Sequence, residues 1–115
     1  MDKKELTKDS DALICALYKE YLQKRKDGVP KGRAKVFGGA STVRGNLVPK
    51  WSVEDVEETL RELSRAKLMT CIYADDTVYE AILSDQGIIY MENRFKNGIS
   101  GVLEYLEKIK TILLW

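Results

Sequence analysis

The sequence contains no histidine, and this absence removes the commonest general base and the commonest zinc ligand. It has only two cysteines, Cys15 and Cys71, which are too few for a four-ligand zinc site. Both lie inside apolar runs, so we expect buried, reduced thiols. No phosphate-binding glycine loop, dinucleotide-binding glycine pattern or nucleophile elbow occurs. The sequence therefore predicts neither an enzyme nor a bound cofactor or metal.

Long hydrophobic runs are absent as well. No stretch approaches 18 consecutive apolar residues, and the chain does not open on the charged, apolar and small segments of a signal peptide. We therefore expect no membrane partner and a cytoplasmic location. With 115 residues, 44% of them hydrophobic and 32% charged, the chain is long enough for one domain with a modest core.

Charge is distributed unevenly along the chain. The net charge is +1, but residues 24–50 hold eight lysines and arginines against Asp27 alone, so this basic block carries +7 and the remainder −6. A local positive field attracts phosphate whatever the total charge of the protein. The basic block is thus a candidate nucleic-acid contact, although a solvated lysine-rich loop explains the same composition.

The spacing of apolar residues predicts helices in the first half of the chain. A flexible N-terminus over residues 1–9 is followed by a first helix that Asp9 or Ser10 caps. Residues 34–37 are a candidate short strand. Residues 41–48 present one apolar face at helical spacing, which predicts a short second helix.

The clearest helix covers residues 53–67. Ser52 has the position and side chain of an N-cap, and Asp55 completes a capping box. The predicted buried stripe consists of Val53, Val56, Leu60 and Leu63.

The second half of the chain predicts a β-hairpin and further helices. Two strands, residues 68–73 and 78–83, flank a polar turn, and Ser84 caps the helix that follows. Residues 97–115 form a last amphipathic helix whose apolar residues alternate in steps of three and four. Such a stripe is typical of a homodimer interface, or of a helix folded back on its own core. The candidate interface residues are Ile99, Val102, Leu106, Ile109, Leu113 and Trp115.

The junction YEAILSDQGIIYMENR, residues 79–94, resembles the Y-x-L-T-x-x-G-x-x-Y-L-E pattern where the wing meets the next helix in many bacterial winged-helix proteins. The order of the predicted elements is also similar to that of the winged helix-turn-helix family. The resemblance implies an α+β domain over residues 10–96, with a three-helix core, a β-hairpin wing and a C-terminal helical extension. Residues 51–65 are in addition similar to a segment of small uncharacterised winged-helix proteins from bacteria and their mobile elements. The matching residues of the junction are Leu83, Ser84, Gly87, Tyr90, Met91 and Glu92.

The resemblance makes the helix at residues 53–67 the recognition helix and implies DNA binding or regulation of transcription. However, the side chains that we expect to be free on this helix and at the wing tip are acidic, and acids repel phosphate. Double-stranded DNA would then be contacted mainly through its phosphates, in a salt-sensitive manner. The expected acidic residues are Glu54, Asp55, Glu58, Glu62, Asp75 and Asp76. The candidate DNA-binding residues are Arg33, Lys35, Arg44 and Lys50, with Arg61 and Arg65 as lesser candidates.

The alternative hypothesis is a protein-interaction module without DNA binding. In that case the acidic helix and the wing would meet a basic surface of a partner protein. Carboxylates near a helix N-terminus also stabilise the helix itself, by about 0.3–1 kcal/mol each, so their presence does not by itself require a partner.

Overall fold

The computed structural model describes residues 5–114 and shows a mixed α+β fold, with seven helices and one two-stranded antiparallel hairpin in that range. This arrangement is compatible with a winged helix. Within the described range, no helix is long and apolar enough to cross a membrane. The elements in chain order are α1 (Lys8–Lys26), α2 (Lys31–Ala34), α3 (Ala40–Leu47), α4 (Val53–Arg65), β1 (Met69–Ala74), β2 (Thr77–Leu83), α5 (Asp85–Arg94), α6 (Ile99–Lys108) and α7 (Lys110–Leu113).

Helix α1 lies at the centre of the core, and residues 12–18 are all buried. The helix begins earlier than predicted, because the Thr7 hydroxyl accepts the Ser10 backbone N–H and acts as the cap. The prediction of a cap at Asp9 or Ser10 was therefore wrong. Ser10 lies inside the helix and is itself buried. Of the predicted flexible N-terminus, residues 1–4 lie outside the described range.

Residues 35–38 pair with β2 and extend the hairpin on that side. The pairing is centred on an isolated bridge between Val36 and Ile82, and it includes three backbone hydrogen bonds of 2.7–2.9 Å. The predicted strand at residues 34–37 is confirmed in part, because Ala34 belongs to α2.

Helices α3 and α4 follow closely the helices predicted at residues 41–48 and 53–67. The Ser52 hydroxyl accepts the Asp55 backbone N–H at 3.1 Å, which confirms the predicted N-cap of α4. Three of the four predicted stripe residues are fully buried in the core. Val53 is the exception at 43% exposed, because the first turn of α4 extends beyond the core. The buried stripe residues are Val56, Leu60 and Leu63.

The hairpin is closed by Asp75 and Asp76, whose φ angles are 51° and 62°. Two successive positive φ angles are the backbone of a two-residue type I′ loop, so the predicted tight turn is confirmed. The strands pair in register except at Tyr79, which has no partner in β1 and forms a bulge. Because the bulge shifts the alternation of side chains by one residue, Val78 and Ala81 are both buried.

Helix α5 starts in close contact with the base of the hairpin. The Ser84 hydroxyl accepts the Gly87 backbone N–H at 2.9 Å and donates to the Lys67 carbonyl oxygen at 2.7 Å. A Cβ atom on residue 87 would lie 2.1 Å from the carbonyl oxygen of Leu68. The predicted cap is confirmed, and only glycine fits at this point of approach.

Helices α6 and α7 fold back on the chain's own core, and Ile109 separates them. The indole N–H of Trp51 donates to the Ile112 carbonyl oxygen at 3.0 Å and fixes α7 beside the start of α4. The predicted single C-terminal helix is thus two helices that cover α1.

This packing changes the expectation of a dimer interface. Val102 is fully buried within the chain and has no surface to offer a second copy, so its assignment to an interface was wrong. Ile99 is half-buried, and Trp115 lies outside the described residues. The other interface candidates, which are partly buried against the core, are Leu106, Ile109 and Leu113.

We expect the substitution Gly87→Ala to lower the free energy of unfolding by about 2–3 kcal/mol, because the added methyl group meets backbone rather than a movable side chain. Gly45→Ala is the matched control. A Cβ at residue 45 of α3 meets open space, so this change should raise stability by about 0.5–1 kcal/mol. Urea unfolding measures both variants, and equal effects would contradict the close approach.

The Cys15 thiol provides a test at alkaline pH. Burial raises the pKa of Cys15 from 9.0 to about 12, against the opposing effect of the Arg94 charge. A raised pKa stabilises the fold below pH 9, and this contribution is lost as pH rises towards 12. We expect stability to fall by about 1.4 kcal/mol per pH unit more steeply in the native protein than in Cys15→Ala, once the unfolded thiol ionises. Urea unfolding between pH 8 and 10.5 measures the two slopes, and equal slopes would count against a buried neutral thiol.

Candidate functional site

The exposed carboxylates of α4 and of the hairpin tip form one surface, which we call the acidic face. Its members are Glu54, Asp55, Glu58, Asp75 and Asp76, all of them exposed. The Arg61 guanidinium joins the two parts, because its Nη2 donates to the Asp76 carbonyl oxygen at 2.8 Å. The hairpin tip is therefore held beside the middle of α4.

A second contact strengthens this attachment. The Glu57 carboxylate accepts the backbone N–H of Val78 at 2.8 Å and also accepts from Arg61 at 3.2 Å. The Arg61 guanidinium lies 4.8 Å from the centroid of the Tyr73 ring. Charge-assisted hydrogen bonds and a cation–π contact thus fix the hairpin tip on α4.

Glu62 was expected to be free on the recognition helix, and the structure places it elsewhere. Its carboxylate accepts hydrogen bonds from the hydroxyls of Thr7 and Ser10, each at 2.7 Å. Glu62 therefore attaches the start of α1 to α4 and does not belong to the acidic face. The prediction of a free Glu62 was therefore wrong, because the helical period gave no sign of these partners, which lie more than 50 residues away.

Two candidate DNA contacts of the basic block are engaged by the chain itself. The Lys35 ammonium lies 3.6 Å from a carboxylate oxygen of Asp85, at the start of α5. The Arg44 guanidinium donates through Nε to the backbone carbonyl of Trp51 and holds the α3–α4 turn. Both side chains are half-buried.

The two arginines of α4 are engaged as well. Arg61 donates to the Asp76 carbonyl at the hairpin tip, and Arg65 forms an ion pair with Glu58 at 3.1 Å. Arg33 and Lys50 are exposed, and among the described residues they are the two of the six candidates whose side chains form no hydrogen bond or ion pair. The structure thus brings no cluster of predicted DNA contacts onto α4.

The basic block is structured rather than a solvated loop. Part of it is helix α2, and part pairs with β2. The Lys24 ammonium donates to the Val36 carbonyl oxygen at 3.0 Å and lies 4.5 Å from the centroid of the Phe37 ring. The cations that extend from this region into solvent are Lys26, Lys31 and Arg33.

A polar cluster that the sequence did not predict joins α1, α5 and α6. The Asp11 carboxylate accepts hydrogen bonds from the Arg94 guanidinium and from the Tyr105 hydroxyl. Burial lowers the pKa of Arg94, but the Asp11 hydrogen bond and charge outweigh it and keep the group charged. Burial and Asp11 together raise the pKa of Tyr105. The three groups satisfy one another, so the cluster acts as a structural tie.

Nothing in residues 5–114 forms a metal centre: no group of three or more carboxylates and thiols is close enough to hold an ion. Comparisons of the chain with protein-family models, with curated proteins and with solved structures give no match.

We expect Glu57→Ala to release the wing tip from α4. Because a hydrogen bond to a charged group is worth about 1.5–3 kcal/mol, the Val78 amide proton should exchange with solvent about 10–100 times faster. Glu58→Ala is the matched control, since it removes a neighbouring carboxylate whose pairing with Arg65 is exposed and contributes little. Hydrogen exchange followed by NMR measures the effect, and unchanged protection at Val78 would show that Glu57 does not hold the wing.

Proposed function

We propose that this protein is a winged helix-turn-helix domain, with α3 and α4 as the helix-turn-helix pair and the hairpin as its wing. The order of the elements supports this assignment. So does the pairing of residues 35–38 with β2, which supplies the short strand expected before the helix-turn-helix pair. The close packing of Gly87 against Leu68 accounts for the glycine of the junction motif.

The function that the geometry supports best is binding of a basic partner protein through the acidic face. The observation that carries this proposal is the charge at the position of the recognition helix. Five exposed carboxylates lie on α4 and the wing tip. Arg61 and Arg65 are each paired with a carboxylate of α4, so the surface keeps a net negative charge. This charge repels phosphate and attracts a basic protein surface.

Apolar side chains beside the acidic face complete a protein-binding surface. Val53 is 43% exposed at the start of α4, and Tyr73 is 45% exposed on the wing. Protein interfaces combine an apolar centre, rich in aromatic residues, with a polar rim. The attachment of the wing to α4 also presents the surface in one fixed arrangement, which reduces the entropy lost on binding.

DNA binding through the basic block is the second candidate function, including a role in regulation of transcription. Its support is a specific one: Lys26, Lys31, Arg33 and Lys50 are exposed, and none has a carboxylate partner among the described residues. Such binding would be led by phosphate contacts and would weaken steeply with salt.

Charge reversal on each surface separates the two functions. Fluorescence anisotropy would follow two labelled probes, an arginine-rich peptide and a random DNA duplex, at about 50 and 200 mM salt. We expect Glu54→Lys with Asp75→Lys to weaken peptide binding about tenfold or more, since two attractive charges become repulsive. Lys31→Glu with Arg33→Glu is the matched control and should leave peptide binding unchanged.

A different result would support DNA binding through the basic block. Duplex binding that weakens with salt and disappears in the Lys31→Glu, Arg33→Glu variant would assign the protein to DNA through its basic block. An affinity for the peptide that stays the same in the Glu54→Lys, Asp75→Lys variant would contradict the proposed role of the acidic face. All four positions are exposed, so each variant should retain native thermal stability within about 1 kcal/mol.

A further inference from the structure

The hairpin has a second surface on the side that faces away from α4. Cys71 of β1 points towards α4, because its Sγ atom lies 3.7 Å from the Leu60 carbonyl oxygen. Its strand neighbours alternate to the other side, as do the residues of β2 that pair with them. We call this surface the outer face, and its members are Thr70, Ile72, Glu80 and Ile82.

Large apolar side chains are exposed on the outer face and at the bulge beside it. Ile72 is 50% exposed, and Tyr79 at the bulge is 67% exposed, the largest fraction among the exposed large apolar side chains in the described range. Val36 extends the surface beside Ile82 through the isolated bridge, and both are half-buried. Contiguous exposed apolar residues of this kind mark interaction surfaces.

Glu80 lies in the middle of this surface and pairs with Ile72 across the strands. Its Oε1 atom is buried and accepts no hydrogen bond from the described residues. A carboxylate oxygen that is removed from water and lacks a donor destabilises a fold, and native structures rarely leave one uncompensated. Glu80 as a whole is half-buried and has no ion pair among the described residues, so its charge is available to a partner, and a cationic donor is the one that a carboxylate binds best.

We propose that the outer face docks an extended segment of a partner protein that places an arginine against Glu80 and packs apolar side chains on Ile72 and Tyr79. Arginine fits better than lysine for three reasons. Its planar guanidinium matches a carboxylate, its apolar stem packs on aliphatic surface, and its cation stacks on an aromatic ring such as Tyr79. This inference rests on the proposed function, because it takes the partner to be a basic protein.

The test uses a probe with this chemistry, a peptide of alternating isoleucine and arginine, titrated into the full-length ¹⁵N-labelled protein. A second peptide carries neutral citrulline in place of arginine. We expect the arginine peptide to shift the amide signals of residues 70–72 and 79–82. The substitution Glu80→Gln, which keeps the shape and removes the charge, should weaken binding at least fivefold. Glu54→Gln on the acidic face is the matched control and should leave these shifts in place.

The outcomes distinguish this inference from the proposed function. Shifts confined to α4 and the wing tip, unaffected by Glu80→Gln, would overturn the outer face and leave the acidic face standing. Shifts on the outer face that depend on Glu80 and on arginine, with none on α4, would support this inference and contradict the acidic face. No shift at either surface would overturn both. Self-association of the free protein that Ile72→Ser abolishes in sedimentation would make a second copy the occupant and overturn a separate partner.

Discussion

The burial of α1 on every side is the constraint on which the rest of the structure depends. Residues 12–18 are consecutive and all buried, so no side of the helix faces water along these two turns. A helical stretch that is apolar all round is stable in water only when neighbours cover its whole circumference. Helix α4 covers one side, and α6 and α7 cover another. This need explains why the C-terminal stripe packs within the chain, although the stripe alone favoured a homodimer.

The same burial decides which charges are available to a partner. Asp11 and Ser10 lie on α1 at the margin of the core, and each has a distant polar partner that closes the packing around it. Glu62 and Arg94, which fill those roles, look like surface charges in the sequence. A count of charged residues therefore overestimates what the surface presents, because part of the charge satisfies polar groups that folding would otherwise leave unpaired.

Local chemistry made much of the fold predictable. The caps at Ser52 and Ser84, the turn at residues 74–77 and the glycine at position 87 obey rules that act within a few residues. The candidate site depends instead on contacts across 15 and 21 residues, those of Arg61 with the Asp76 carbonyl and of Glu57 with the Val78 N–H. Helical period gives the side of a helix but not the partner there. The six proposed DNA contacts were therefore recognisable as cations, while the engagement of four of them by the chain was not.

The attachment of the hairpin tip to α4 connects the fold with the proposed function. Glu57 and Arg61 hold the wing by its own backbone, through the Val78 N–H and the Asp76 carbonyl. An arginine used in this way has fewer donors left for phosphate, and the turn beside it carries two aspartates. The same contacts make α4 and the hairpin one rigid surface. Folding fixes their relative arrangement, so binding of a partner does not have to fix it. A rigid negative surface with exposed apolar side chains loses little entropy when a basic protein docks, whereas phosphate would still face uncompensated repulsion.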